Sequence, residues 1–64
     1  MQTTYDRDAN AIYVKFSDAM VAGTEELRPG LIVDFDKEGR IIGIEMLNAR
    51  MQLPADALAS LAAA

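Results

Sequence analysis

The sequence predicts an α+β domain: a small antiparallel sheet of about four strands built from two hairpins, followed by one short C-terminal helix. Three observations carry this reading. Apolar residues alternate on both sides of the polar turn Asp36-Lys37-Glu38-Gly39. A second pair of β-prone runs flanks the polar stretch Asp6 to Asn10. Only after Leu47 does the pattern change, to an alanine-rich run carrying Leu58 and Leu61 at helical spacing.

In chain order, Met1 to Tyr5 is short and β-prone, with Thr3, Thr4 and Tyr5. Asp6 to Asn10 reads as a turn, where Asp and Asn side chains bond their own backbone. Ala11 to Phe16 is a strand with Ile12, Val14 and Phe16 on one face and Ala11, Tyr13 and Lys15 on the other. Ser17 to Gly23 reads as a loop. Thr24 to Arg28 is a short strand or extended arm. Its adjacent Glu25 and Glu26 point to opposite faces, which suits a sheet edge and discourages unwanted pairing there. Pro29-Gly30 punctuates the chain.

The central stretch Leu31 to Leu47 holds most of the β-branched residues. Leu31, Val33 and Phe35 form one face of its first strand; Ile42, Ile44 and Met46 answer them in the second. Gly39 supplies the positive φ that a tight turn needs. The register with Val33 opposite Ile42 or Ile44 keeps both apolar sets together. A slip of one residue would bring Asp34 and Asp36 into the apolar face. The opposite face is mixed: Ile32, Ile41 and Leu47 lie among Asp34, Gly43 and Glu45. That mixture calls for partial cover or a partner.

Beyond Leu47, Asn48 suits the N-cap of a turn starting at Ala49. Pro54 to about Ala63 reads as one short helix, with Pro54 at its first position and Asp56 in the first turn. It lies near or below the length at which an isolated helix is stable, so it has to dock on something. The terminal alanines are expected to fray.

Composition bounds the function. The 64 residues make a single domain, 1–64, with ten acidic and six basic residues and a net charge of −4. There is no cysteine and no histidine, so neither a disulfide nor a zinc site with N or S ligands stabilises the chain. Domains this short usually need such a staple or association. A homodimer or a complex with another protein is therefore expected. No basic cluster is present to neutralise phosphates, so nucleic-acid binding by the chain alone is not expected. No apolar run approaches membrane-spanning length, and a signal peptide is not expected, because the opening residues are polar and soon include Asp6 and Asp8. Cytoplasmic residence follows as the default.

The acidic residues invite a calcium reading. Asp34, Asp36, Glu38, Gly39 and Glu45 match positions 1, 3, 5, 6 and 12 of an EF-hand loop. Glu38 is too long for its position, Ile42 replaces a polar one, and Gly30 to Val33 is strand-like where a helix is required. A polar turn between strands is the better reading. Asp6, Asp8 and Asp36 are explained as turn residues. Asp34 and Glu45, on the mixed face, suit a salt bridge or an interface more than catalysis. Tyr5 and Tyr13 suit packing. Ser17 has no histidine to activate it, which excludes a nucleophilic triad. No catalytic, cofactor or metal residues are assigned.

Taken together, several short stretches resemble a known family. These are Tyr5-Asp6, Ala9, Ala11-Ile12-Tyr13-Val14, Phe16-Ser17-Asp18, Thr24-Glu25-Glu26, Leu31 to Asp36, Gly39 to Glu45 and Asn48-Ala49. The chain is similar over roughly residues 3 to 50 to the YuzE-like set of small prokaryotic proteins, domain of unknown function 2283. The resemblance implies a small α+β unit with an antiparallel sheet and carries over no catalytic residues. It also implies a likeness to antitoxin partners of small ribonuclease-like toxins, beside whose genes some members lie. Asn10 and Asn48 stand where members often have Asp.

The leading functional expectation is thus a small acidic interaction protein that is not an enzyme, needs no cofactor, and dimerises or binds a basic partner in the manner of an antitoxin-like inhibitor. Asp34, Glu45, Glu25, Leu58 and Leu61 are the candidate interface residues, on the central hairpin, the Thr24 to Arg28 edge and the C-terminal helix. The second expectation, of a different class, is a small-molecule or divalent-metal-binding protein using Asp34, Asp36 and Glu45.

Overall fold

A computed structural model describes residues 1–63. The expected fraying at Ala64 lies outside them. Five strands form one antiparallel sheet: β1 (Gln2–Asp6), β2 (Ala11–Lys15), β3 (Gly23–Arg28), β4 (Leu31–Phe35) and β5 (Ile41–Leu47). Two short helices follow, α1 (Ala49–Gln52) and α2 (Ala55–Ala63). The fold is α+β, as the alternation implies. The strand order is β1-β2-β5-β4-β3. The last strand of the chain therefore runs up the centre and joins the N-terminal hairpin to the β3–β4 pair.

Two corrections to the sequence reading follow. The sheet has five strands rather than about four; Thr24 to Arg28, whose charges suit a sheet edge, lies within the full edge strand β3, paired with β4. All six residues of β3 are exposed. Backbone pairing to β4 holds it, not side-chain burial, so no apolar alternation announces it. The second correction is at the C-terminus, where there are two helices rather than one. Leu53 precedes a proline, whose ring drives the preceding residue out of helical geometry. Leu53 is extended, with φ −117° and ψ 146°, and ends α1. Pro54 stands just before α2 instead of at its first position, its carbonyl accepting from Ala57 and Leu58 N–H.

The register of the central hairpin pairs Val33 with Ile44 and Leu31 with Met46. On the other side of β5, Val14 lies opposite Ile44 and Ile12 opposite Met46. One sheet face thus gathers Ile12, Val14, Leu31, Val33, Ile44 and Met46. The buried core is small: Ile12, Val33, Ile42 and Ala49. α2 packs on β1 and on α1. Tyr5, which lies opposite Ile12 and so shares the apolar face, is the one β1 residue that is not exposed. The half-buried Leu58 and Leu61 therefore belong to a helix that docks on its own sheet.

α1 is clamped at one end of the sheet by two turns. Asn10, in the β1–β2 turn, accepts Ala49 N–H on its carbonyl and Arg50 N–H on its side-chain oxygen. On the other side, Gln52 donates to the carbonyls of Gly30 and Leu47 and accepts from the Arg28 guanidinium. Asn48 occupies the N-cap position, but in left-handed geometry and with no side-chain cap bond. The capping oxygen comes instead from Asn10, about forty residues earlier in the chain. No helix among the described residues is long and apolar enough to cross a membrane.

Candidate functional site

The face of the sheet opposite the core carries the polar side chains. The registers line up Thr4, Tyr13, Glu45, Ile32 and Glu26 in one row across five strands. The next row is Gln2, Lys15, Gly43, Asp34 and Thr24. Asp34 and Glu45 therefore share this face, as their alternation implies.

At its centre, Tyr13 reaches from β2 over β5 to β4. Its hydroxyl donates to Asp34 Oδ2 at 2.9 Å. Thr24, on β3, donates its hydroxyl to Asp34 Oδ1, also at 2.9 Å. One carboxylate thus ties three strands together through side chains alone. Gly43 makes this possible. A Cβ there would collide with the Tyr13 hydroxyl and lie 3.0 Å from the ring carbon bearing it. The glycine in the middle of β5 is a slot for a tyrosine from the neighbouring strand.

The electrostatics follow from this geometry. The hydrogen bond to Asp34, with partial burial and the Asp34 charge, holds the Tyr13 phenol above its ordinary value; Lys15 opposes this weakly and Glu45 adds to it. The phenol is therefore a donor at neutral pH. Both oxygens of Asp34 are engaged by hydroxyls. The cluster is a closed hydrogen-bonded lock with neither an activated nucleophile nor a free base at its centre.

The other acidic candidates separate. Asp36 turns into its own hairpin loop. Its Oδ1 accepts from Glu38 N–H and Arg40 N–H, and its Oδ2 pairs with Arg40 Nε at 3.0 Å. The backbone bond from Arg40, then its side chain, and the bond from Glu38 N–H hold the Asp36 carboxyl below its ordinary value against the opposing effect of desolvation. Asp6 accepts Ala9 N–H, the turn role expected of it. Among the described residues, no group of three or more His, Cys, Asp or Glu side chains is placed to hold a metal ion. Asp34, Asp36 and Glu45 do not form the ligand set that the calcium or divalent-metal reading requires. Glu25 lies opposite Val33, on the apolar side of the sheet, but exposed at the edge.

At the end of the sheet away from α1, a cleft of about 530 Å³ opens between the loop Ala19 to Ala22 and the Asp36 to Arg40 turn. Met20, Val21, Phe16 and Ile41 are exposed around this end. The sequence reading missed Thr24, Gly43, Asn10 and Gln52, and saw Tyr13 only as a packing residue. Gly43 alone left a signal: a glycine inside a strong strand pattern marks a close approach.

A family model described as Protein of unknown function (DUF2283) matches residues 2–50. That span contains the whole sheet and the lock, and leaves α2 outside. No curated protein and no solved structure matches the chain.

Proposed function

The chain belongs to the DUF2283 family, and from that premise we propose that it is a small acidic interaction protein of the cytoplasm that completes its buried surface by association. The observation that carries this reading is how little the single chain buries. Among the described residues, Ile12, Val33, Ile42 and Ala49 are the only buried apolar ones, while Phe16, Met20, Val21, Leu27, Ile41, Leu47 and Met51 are among the exposed large apolar residues. A compact monomer of 7.0 kDa exposes about 4,000 Å². This chain exposes 4550 Å². The excess is of the order of one partner's share of a modest protein interface.

Asp34 and Glu45 on the open face and Glu25 on the free edge are the polar contact residues of this reading. Leu58 and Leu61 act through the helix they dock. Self-association is the first form of the proposal. Its finer form is an antitoxin-like pairing with a small basic protein, which the acidic charge would attract. Light scattering across a dilution series tests the proposal. A mass that rises with concentration, or a stable complex with a small basic protein encoded beside it, supports association. A well-folded monomer at every concentration, with no such complex, sinks it.

A further inference from the structure

The sheet has two free edges, and they are built differently. β3 is guarded. A two-fold centred on that strand would set Glu25 against Glu26 of a second copy, and like charges directly opposite are destabilising. Its ladder is also broken by a register shift between Glu26 and Arg28, with Leu27 unpaired. Charges and bulges are the ordinary means of protecting an edge. β1 has neither. Its five residues pair with β2 without a shift, and its only charge is Asp6, at the end. Its sequence, Gln-Thr-Thr-Tyr-Asp, is rich in strand-forming residues.

We propose that β1 is the homodimer edge: two copies pair antiparallel through β1, about a two-fold at Thr4, to make one continuous ten-stranded sheet. The inference rests on the association reading above and says where that association occurs. In this register Thr4 faces Thr4 of the second copy, Thr3 faces Tyr5, and Gln2 faces Asp6. Every pair is compatible: Thr with Thr, Thr with an aromatic ring, and an amide with a carboxylate. No like charges meet. α2 packs on this same edge strand. A two-fold perpendicular to the sheet keeps both helices on one side and brings them together. Its alanines, Ala55, Ala57, Ala59 and Ala62, permit a close approach. Strand pairing alone would give a narrow contact; the helix pair widens it toward the ~800 Å² per partner of a stable interface.

The test uses the self-opposition of Thr4, whose side chain is exposed. Thr4→Lys and Thr4→Glu each place like charges across the two-fold, and an equimolar mixture places opposite ones there. Light scattering on the full chain, with circular dichroism to confirm folding, should show a wild-type dimer. Each variant alone should dissociate at about tenfold or more higher concentration, and the mixture should return to dimer mass. Lys37→Glu, in the exposed turn between β4 and β5, should leave the mass unchanged. A dimer indifferent to both Thr4 variants would overturn the β1 assignment while leaving association intact. A wild-type monomer throughout would overturn the β1 dimer, and a complex with a basic protein would then decide whether the broader reading survives.

Discussion

The Tyr13–Gly43 pair shows how one missing Cβ organises a whole face. Tyr13→Phe removes one hydrogen bond to Asp34, which keeps Thr24, and should cost about 0.5–1.5 kcal/mol. Gly43→Ala forces the ring out of its slot, so it breaks the same bond by another route. In the Gly43→Ala background, Tyr13→Phe should then cost close to nothing. A double-mutant cycle by urea unfolding should return a coupling of about 0.5–1.5 kcal/mol; strict additivity would show that the ring does not depend on the glycine. The phenol also predicts a pH dependence. Its folded-state pKa is raised, so its contribution is complete below the unfolded value near 10 and is lost as pH climbs through the folded one. The gap in melting temperature between wild type and Tyr13→Phe should therefore be constant from pH 7 to 9 and narrow above pH 10. Asn10 gives a third test. It has φ 56° and caps α1 through space. Asn10→Ala loses the cap and strains the backbone, together about 2–3 kcal/mol. Asn10→Gly relieves the strain and should cost about 1 kcal/mol. Asn10→Asp keeps the acceptor and should stay within about 0.5 kcal/mol of wild type. Denaturant titration orders the three; an Ala variant no worse than Gly would remove the strain argument.

At the level of elements, what could be read from the sequence was what side-chain periodicity encodes. Val33, Ile44 and their neighbours alternate because one face of the sheet is buried, so the pattern narrowed the register to Val33 opposite Ile42 or Ile44; the structure pairs Val33 with Ile44, and a register shift after Asp34 that the pattern did not announce sets Phe35 opposite Ile41. β3 was legible only through its adjacent glutamates, which suit an edge strand, because none of its side chains is buried; the backbone bonds that hold it leave no trace in residue type. The break between α1 and α2 was legible in principle, since a residue before proline leaves helical geometry. The trans cap from Asn10 and the Gln52 latch were not legible, because each joins segments far apart in sequence that meet only after the sheet forms. α2 lies outside the family match, yet it packs on β1 and on α1. Leu58→Ala and Leu61→Ala should each cost about 1–2 kcal/mol, less than a fully buried leucine, because both side chains are half-buried. Unchanged urea midpoints would mean that the helix contributes nothing to the fold in cis.

For the molecule as a whole, size sets the terms. A single core in a chain this short rarely supplies more than about 3–5 kcal/mol, and this one rests on four buried apolar residues among those described. A 2–3 kcal/mol defect such as Asn10→Ala would then remove most of the stability of an isolated chain, whereas a dimer would tolerate it at high concentration. Association couples folding to concentration by mass action. Each tenfold dilution of a folded dimer that melts to unfolded monomers removes about 1.4 kcal/mol from the folded side. For a domain of 60–100 residues each kcal/mol moves the midpoint by about 4–8 °C, and the loss is shared between two chains. The melting temperature of the wild type should therefore fall by a few degrees per tenfold dilution between about 100 and 1 μM. Thr4→Lys, whose dimer dissociates at about tenfold or more higher concentration, should melt below the wild type at every concentration in that range. Coincident dilution curves for the two proteins would place the stabilising contact elsewhere than β1. Two flat curves would mean that the small core and its lattice of side-chain hydrogen bonds hold the fold without a second copy.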